Sequence, residues 1–147
     1  MMNAVSRYLY ERSLGLLLLR VGVGLVFFMH GLSKVQNIAG VTGFFAHLGL
    51  PGFVAVAIAW LEVIGGVAII IGVATRFFAF LFGVEMLVAI FITGINLGWQ
   101  AHEMEALLVA SSFALVYMGS GRFSLWRMEC QHCGAFTCRV EDCPKRG

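Results

Sequence analysis

Residues 53–73 have the sequence FVAVAIAWLEVIGGVAIIIGV, an apolar stretch with a single charged residue, Glu62. At 1.5 Å of rise per residue, a helix of this stretch is about 30 Å long, which matches the hydrocarbon core of a bilayer. The stretch therefore predicts a membrane-spanning helix. Its charge needs a partner or a purpose, because a charge at the bilayer centre costs at least about 2.5 kcal/mol.

Further apolar stretches flank this one in the 147-residue chain, at residues 14–32, 77–95 and 100–119. The composition agrees with a membrane protein, since 60% of the residues are hydrophobic, 12% are charged and the mean hydropathy is +0.90. A soluble domain carries about twice that charged fraction. We therefore predict an all-α membrane protein, a bundle of four transmembrane helices. The net charge of +2 excludes a strongly basic nucleic-acid-binding protein.

The basic residues lie mostly on one side of the predicted spans. Eight of them precede the first span, join the second to the third or follow the fourth: Arg7, Arg12, Arg76, Arg122, Arg127, Arg139, Lys145 and Arg146. Lys34 is the one basic residue in the predicted loops of the other side. The positive-inside rule then predicts that both termini are cytoplasmic, in a multi-pass protein of a bacterial-type inner membrane.

The connection between the first two spans, residues 33–52, also carries a pattern. Apolar residues recur at nearly helical spacing, and Gly49 to Gly52 are typical of a helix end followed by a new start. We predict a short amphipathic helix on the outer membrane surface, with a plain loop as the alternative.

Three charged residues are predicted inside the membrane at similar depth: Arg20, Glu62 and Glu85. Pairing of Arg20 with one or both carboxylates would offset most of the cost of burying them. Two interpretations stay open, a structural clamp between three helices and a polar pocket for a quinone head group or a proton relay. Gly65 and Gly66 follow Glu62 and allow close approach by a neighbouring helix or a ligand.

A second polar group is predicted towards the outer ends of the spans. His30 and Lys34 are four residues apart and share a helix face, while His102 and Glu103 enter the membrane from the same side. Hydrogen bonding at the interface, a metal site and a quinone or proton-exit role are all compatible with these residues.

The order of these motifs resembles that of the DoxX family of small four-helix membrane proteins. The resemblance covers residues 14–125 and rests on Leu19-Arg20, on Phe27-Phe28-Met29-His30-Gly31 with Lys34, on Gly49-Leu50-Pro51, on Glu62 with Gly65-Gly66, on residues 72–76 (GVATR), on Met86 and Ala89, and on residues 119–125 (GSGRFSL).

The resemblance implies a four-helix bundle of the inner membrane. It also implies a redox association, as in the membrane subunit of a thiosulfate:quinone oxidoreductase. It identifies the intramembrane polar positions as Arg20, His30, Lys34 and Glu62. The chain departs from the family pattern at Trp126, where an acidic residue is usual, and in the tail that follows.

All four cysteines lie in this tail, residues 126–147, which we separate from the transmembrane domain of residues 1–125: Cys130, Cys133, Cys138 and Cys143. The first two form a C-x2-C pair whose thiolates can reach one metal, and the other two can complete a tetrahedral site. So short a tail cannot build a core, and cytoplasmic thiols stay reduced. We therefore predict zinc, with an iron–sulfur cluster as the alternative; disulfides, a redox-active pair and free thiols stay open.

Two functions fit these features. The first is an integral membrane subunit of a quinone-linked or thiol- or sulfur-linked redox complex, which anchors or couples a partner protein and offers a polar site to a quinone. The second is a non-catalytic structural or assembly subunit, docked to a larger membrane complex through a zinc-binding tail. A transporter is a third. The sequence has no nucleotide-binding glycine motif, which favours a subunit or accessory of an oxidoreductase over a complete enzyme.

Overall fold

The computed structural model describes residues 4–93, 102–121 and 124, with side chains described from residue 13 onward. This part of the chain is all helical and contains five helices: α1 (Ala4–Gln36), α2 (Ile38–His47), α3 (Gly52–Ile71), α4 (Thr75–Thr93) and α5 (Glu103–Met118). The predicted all-α fold is thereby confirmed. The predicted cysteine tail lies outside the described residues, and the division at residue 125 stays a prediction.

Within the described ranges, three helices are long and apolar enough to cross a membrane, over Ser13–Gln36, Gly52–Ile71 and Thr75–Ile92. They coincide with the first three predicted spans. The fourth predicted span contains α5, which has 16 residues and is therefore about 24 Å long. Because the hydrocarbon core is about 30 Å thick, the crossing of the membrane by α5 stays a prediction.

The short helix predicted between the first two spans is present as α2. It ends where Gly49 adopts a positive φ of 75°, and the Leu50 N–H donates to the Phe45 carbonyl over 3.0 Å. A left-handed residue that closes a helix in this way is usually glycine, since a Cβ is disfavoured there. Pro51 then precedes α3, whose first residue is Gly52. The position of α2 on the outer membrane surface stays a prediction.

Glycines let α1 and α3 cross at close range. A Cβ on Gly24 would lie 2.7 Å from the Gly66 carbonyl oxygen, and one on Gly66 would lie 2.7 Å from the Gly24 carbonyl oxygen. The neighbouring Gly65 faces α4 instead, where a Cβ would lie 2.7 Å from the Phe82 ring. Protein therefore occupies both sides of the glycine pair, as small residues at interfaces between membrane helices allow.

The core lies between α1, α3, α4 and α5. At its centre Phe27 and Phe82 stack with ring centroids 3.8 Å apart and an interplanar angle of 11°. Large apolar side chains on the outside of the helices are exposed, among them Leu18, Phe53, Phe77, Phe91 and Leu107. An exposed apolar surface of this extent suits contact with lipid and not with water.

Candidate intramembrane polar site

Lys34, Glu62 and Glu85 come together between the three long apolar helices. The Lys34 Nζ lies 2.7 Å from the Glu62 Oε1 and 3.6 Å from the Glu85 Oε1. The Glu62 side chain is fully buried, the Glu85 side chain is 11% exposed and the Lys34 side chain is 27% exposed. One ammonium group therefore serves two carboxyl groups, and we call these three residues the polar cluster.

The close contact of α1 with α3 brings Lys34 to Glu62. A Cβ on Gly31 would lie 2.7 Å from the Glu62 Cβ, so the backbone of α1 touches α3 at the level of this carboxyl group. Lys34 follows Gly31 by nearly one helical turn, and it reaches the carboxyl group because α1 continues to Gln36. Glu85 is supplied by the middle of α4 and lies beside Glu62.

The polar cluster has more acceptors than donors. The Glu62 Oε2 and the Glu85 Oε2 are buried and have no hydrogen-bond partner among the described residues. With both carboxylates ionised, the three residues carry a formal charge of −1. One bound proton, or one donor from a ligand, would offset part of the cost of the buried acceptors, which is about 1–3 kcal/mol for each unsatisfied group.

A cavity of about 730 Å³ adjoins the polar cluster, between α2, α3 and α4. Its polar lining residues are Lys34, Asn37 and Glu85. The remaining lining is apolar apart from Gly40 and includes Phe44 of α2, Leu61 of α3 and Val84 of α4. An apolar cavity of this size with a few polar groups has the usual properties of a small-molecule site.

Arg20 lies elsewhere, which corrects the expected pairing with Glu62 and Glu85. Its guanidinium is buried, donates from Nε to the Ile69 carbonyl over 3.0 Å and from Nη2 to the Ile70 carbonyl over 2.8 Å, and donates from Nη1 to the Ser120 carbonyl. Arg20 and Lys34 are about 21 Å apart along α1. Of the two, only Lys34 therefore reaches the turn of α3 that contains Glu62.

The Arg20 contacts close the opposite end of α3. The last four carbonyls of a helix have no partner within the helix, and a cation is favourable there because of the helix dipole. Beside them, the Ser124 hydroxyl donates to the Gly72 carbonyl over 2.6 Å, and Gly72 has a positive φ of 83°. We call Arg20, Gly72, Ser120 and Ser124 the arginine lock; it joins α1, α3 and the segment after α5.

The histidines do not join the polar cluster. His30 is exposed on α1, and His102 is buried directly before the first turn of α5. Among the residues that the structure describes, no three His, Cys, Asp or Glu side chains are grouped closely enough to hold a metal ion. Cys130, Cys133, Cys138 and Cys143 lie outside the described residues, so the predicted zinc site stays a prediction.

Sequence reasoning missed the cavity and the role of Asn37 in its lining. A usable signal was the helical spacing of apolar residues after Lys34. It predicted a short amphipathic helix on the outer membrane surface, but not that this helix lines a cavity with α3 and α4. The pairing of Lys34 was missed because the first span was predicted to end at residue 32, although Lys34 itself was recognised as a polar position.

Comparison with known proteins places the polar cluster inside a recognised family region. Residues 15–94 match the family described as DoxX. The chain is 42% identical over 108 residues to "Putative oxidoreductase CatD" of Bacillus subtilis (strain 168). The aligned residues are 73% of this chain and 81% of that protein. It is 31% identical over 121 residues to "Inner membrane protein YqjF" of Escherichia coli (strain K12), which covers 78% of this chain and 91% of that protein. No solved structure matches the chain.

Proposed function

Because this chain belongs to the DoxX family, we propose that it is an integral membrane subunit of a redox complex that works through the polar cluster. The observation that carries the proposal is the contact of Lys34 with the buried Glu62 and the largely buried Glu85, between helices long enough to span a membrane. Ionisable residues inside a membrane domain are costly and mark sites of proton, ion or substrate handling. The similarity to a protein named as an oxidoreductase supports a redox role.

The polar cluster has the groups that proton-coupled electron transfer requires. Lys34 can donate hydrogen bonds, and Glu62 and Glu85 can accept a proton or return one. The proposal assigns the electron source to a partner protein and assigns this chain the membrane side of the reaction. The chain is then a subunit or accessory of a quinone-linked or thiol- or sulfur-linked oxidoreductase, in the inner membrane, with both termini cytoplasmic.

A membrane quinone is the proposed electron carrier, and the residues present fit it. The cavity beside the polar cluster offers an apolar channel for a tail and polar groups for a head group, with Lys34 as donor and Glu85 as acceptor. When bound, a quinone would supply two-electron chemistry that takes up or releases protons. The two carboxyl groups would hold those protons, and the apolar lining would keep water away.

The test uses cells from which the gene for the chain has been deleted and which then express the wild-type or a variant protein at equal abundance. Quinone-linked electron transfer is measured in membranes from these cells. We expect Glu85→Gln to lower the rate by about tenfold or more, because it removes a group that can exchange a proton. Glu103→Gln is the matched control, since Glu103 is exposed on α5. A rate unaffected by Glu85→Gln, or independent of the chain altogether, contradicts the proposal.

The second candidate function is a non-catalytic assembly subunit whose zinc-binding tail docks a partner. The arginine lock favours it, because the segment after α5 is tied to α1 and α3 at Ser120 and Ser124. A tail that begins from a fixed point suits docking. Four thiolates from Cys130, Cys133, Cys138 and Cys143 would give a closed tetrahedral zinc site.

The docking function predicts about one equivalent of zinc in the purified chain, and its loss with a Cys130→Ser, Cys133→Ser double substitution. The same substitution would release the partner while the membrane domain stays folded. A visible absorption band with iron in place of zinc would favour electron relay instead. Absence of any metal from anaerobically purified protein contradicts the zinc site.

A further inference from the structure

We infer that the cavity between α2, α3 and α4 binds one neutral, lipid-soluble molecule whose head group carries carbonyl or hydroxyl oxygens, held by Lys34 and Glu85. The inference gives a ligand class to the site of the proposed function. It rests on that function only where the bound molecule is a quinone.

Charge decides which head group the cavity accepts. Lys34 and Glu85 both line it, so any head group meets an ammonium and a carboxyl group together. The ammonium of Lys34 and the carboxylate of Glu85 carry opposite formal charges, so the lining has no net charge with which to balance an anionic or a cationic head group. A neutral oxygen-bearing group can accept a hydrogen bond from Lys34, and a hydroxyl can also donate to Glu85.

Glu85 has an unsatisfied acceptor beside this end of the cavity. The Glu85 Oε2 is buried without a hydrogen-bond partner among the described residues, although Glu85 lines a cavity large enough for a ligand. Glu62 does not line the cavity; it is fully buried behind Lys34 and holds the ammonium at 2.7 Å. Glu62 is therefore a positioning residue, and Lys34 and Glu85 contact the ligand.

The outer wall of the cavity explains how a lipid-soluble molecule would enter. Phe44 is 52% exposed on α2, and Val84 and Val88 are 39% and 47% exposed on α4. These lining residues lie on the outside of the described helices, where the membrane spans face lipid. Entry from the bilayer therefore requires no passage through water, and a volume of about 730 Å³ lies within the range of about 300–1,000 Å³ that is usual for small-molecule sites.

The experiment uses the full chain in phosphatidylcholine nanodiscs with a diazirine-bearing monoacylglycerol as a neutral photoprobe, and maps labelled peptides by mass spectrometry. We expect saturable labelling of peptides from α2, α3 and α4. Unlabelled monoolein and decyl-benzoquinone compete for the site. Oleate and tetraphenylphosphonium compete at least about tenfold less well, because the lining offers no net charge that balances theirs.

Two substitutions on α3 provide a matched pair. Ile58→Trp fills the cavity and lowers saturable labelling by about tenfold, whereas Ile64→Trp makes the same change at an exposed position and leaves it unchanged. Glu85→Leu weakens labelling by about tenfold because it removes the acceptor. If Ile58→Trp does not yield a monodisperse protein, Val41→Trp fills the same cavity from α2.

The possible results separate the ligand from the proposed function. Competition by monoolein and decyl-benzoquinone supports both. Competition by monoolein alone supports the cavity inference and contradicts a quinone as the electron carrier. Three results would overturn the inference. The first is labelling that is not saturable, and the second is labelling that Ile58→Trp and Val41→Trp leave unchanged. The third is stronger competition by oleate or tetraphenylphosphonium than by the neutral molecules.

Discussion

Arg20 is buried, and it donates hydrogen bonds to three backbone carbonyls, those of Ile69, Ile70 and Ser120. The planar guanidinium suits this task, because its donors are fixed in a fork and can serve several acceptors at once. A lysine presents a point charge and would satisfy fewer of them. We therefore expect Arg20 to have a structural role and the chemistry of the site to depend on Lys34, Glu62 and Glu85.

Replacement of Arg20 should therefore change stability and leave ligand binding unchanged. We expect Arg20→Met to lower the free energy of unfolding by about 2–4 kcal/mol, since buried carbonyls lose their donors, and Arg20→Lys to lower it by less. Ser124→Ala removes the neighbouring hydrogen bond to the Gly72 carbonyl and should cost about 0.5–1.5 kcal/mol. Denaturant titration in mixed micelles measures all three. An Arg20→Met protein as stable as the wild type would refute the arginine lock.

At the scale of the helix, the sequence predicted that α1, α3 and α4 cross the membrane and that Glu62 and Glu85 lie at similar depth, with Arg20 as the partner of one or both. It did not identify Lys34 as the basic residue that meets them. The depth of Arg20 was judged from the start of the apolar stretch, but the contact is set by where α1 touches α3. That point is Gly31, and its closeness to Glu62 depends on the crossing of two helices, which periodicity along one helix does not encode.

The glycine crossing of α1 and α3 gives a second prediction. Gly24→Ala should lower the free energy of unfolding by about 1–3 kcal/mol, because its Cβ would lie 2.7 Å from the Gly66 carbonyl oxygen and the helices would have to separate. Gly22→Ala is the control on the same helix, where nothing lies within 4 Å. Its stability should be unchanged or higher by up to about 1 kcal/mol. Equal effects of the two substitutions would mean that the helices do not cross there.

At the scale of the whole molecule, the number of spans determines the side on which the tail lies. In the part of the chain that the structure describes, three helices meet the length of a span, and α5 is shorter. We predict that α5 crosses nonetheless, so that a fluorescent protein fused after residue 147 is cytoplasmic and fluoresces. Alkaline phosphatase inserted at residue 98 should then be active outside. An active phosphatase fused after residue 147 would instead indicate three spans and an external tail.

The central claim is that Lys34, Glu62 and Glu85 form one coupled polar centre, separate from Arg20. A double-mutant cycle tests it most directly. The free energy of unfolding is measured for Lys34→Met, for Glu62→Gln and for the double variant. The same cycle is then measured for Arg20→Met with Glu62→Gln. The structure predicts a coupling of about 1–3 kcal/mol for Lys34 with Glu62, and additivity within about 0.5 kcal/mol for Arg20 with Glu62. Coupling of Glu62 to Arg20 and not to Lys34 would contradict the account.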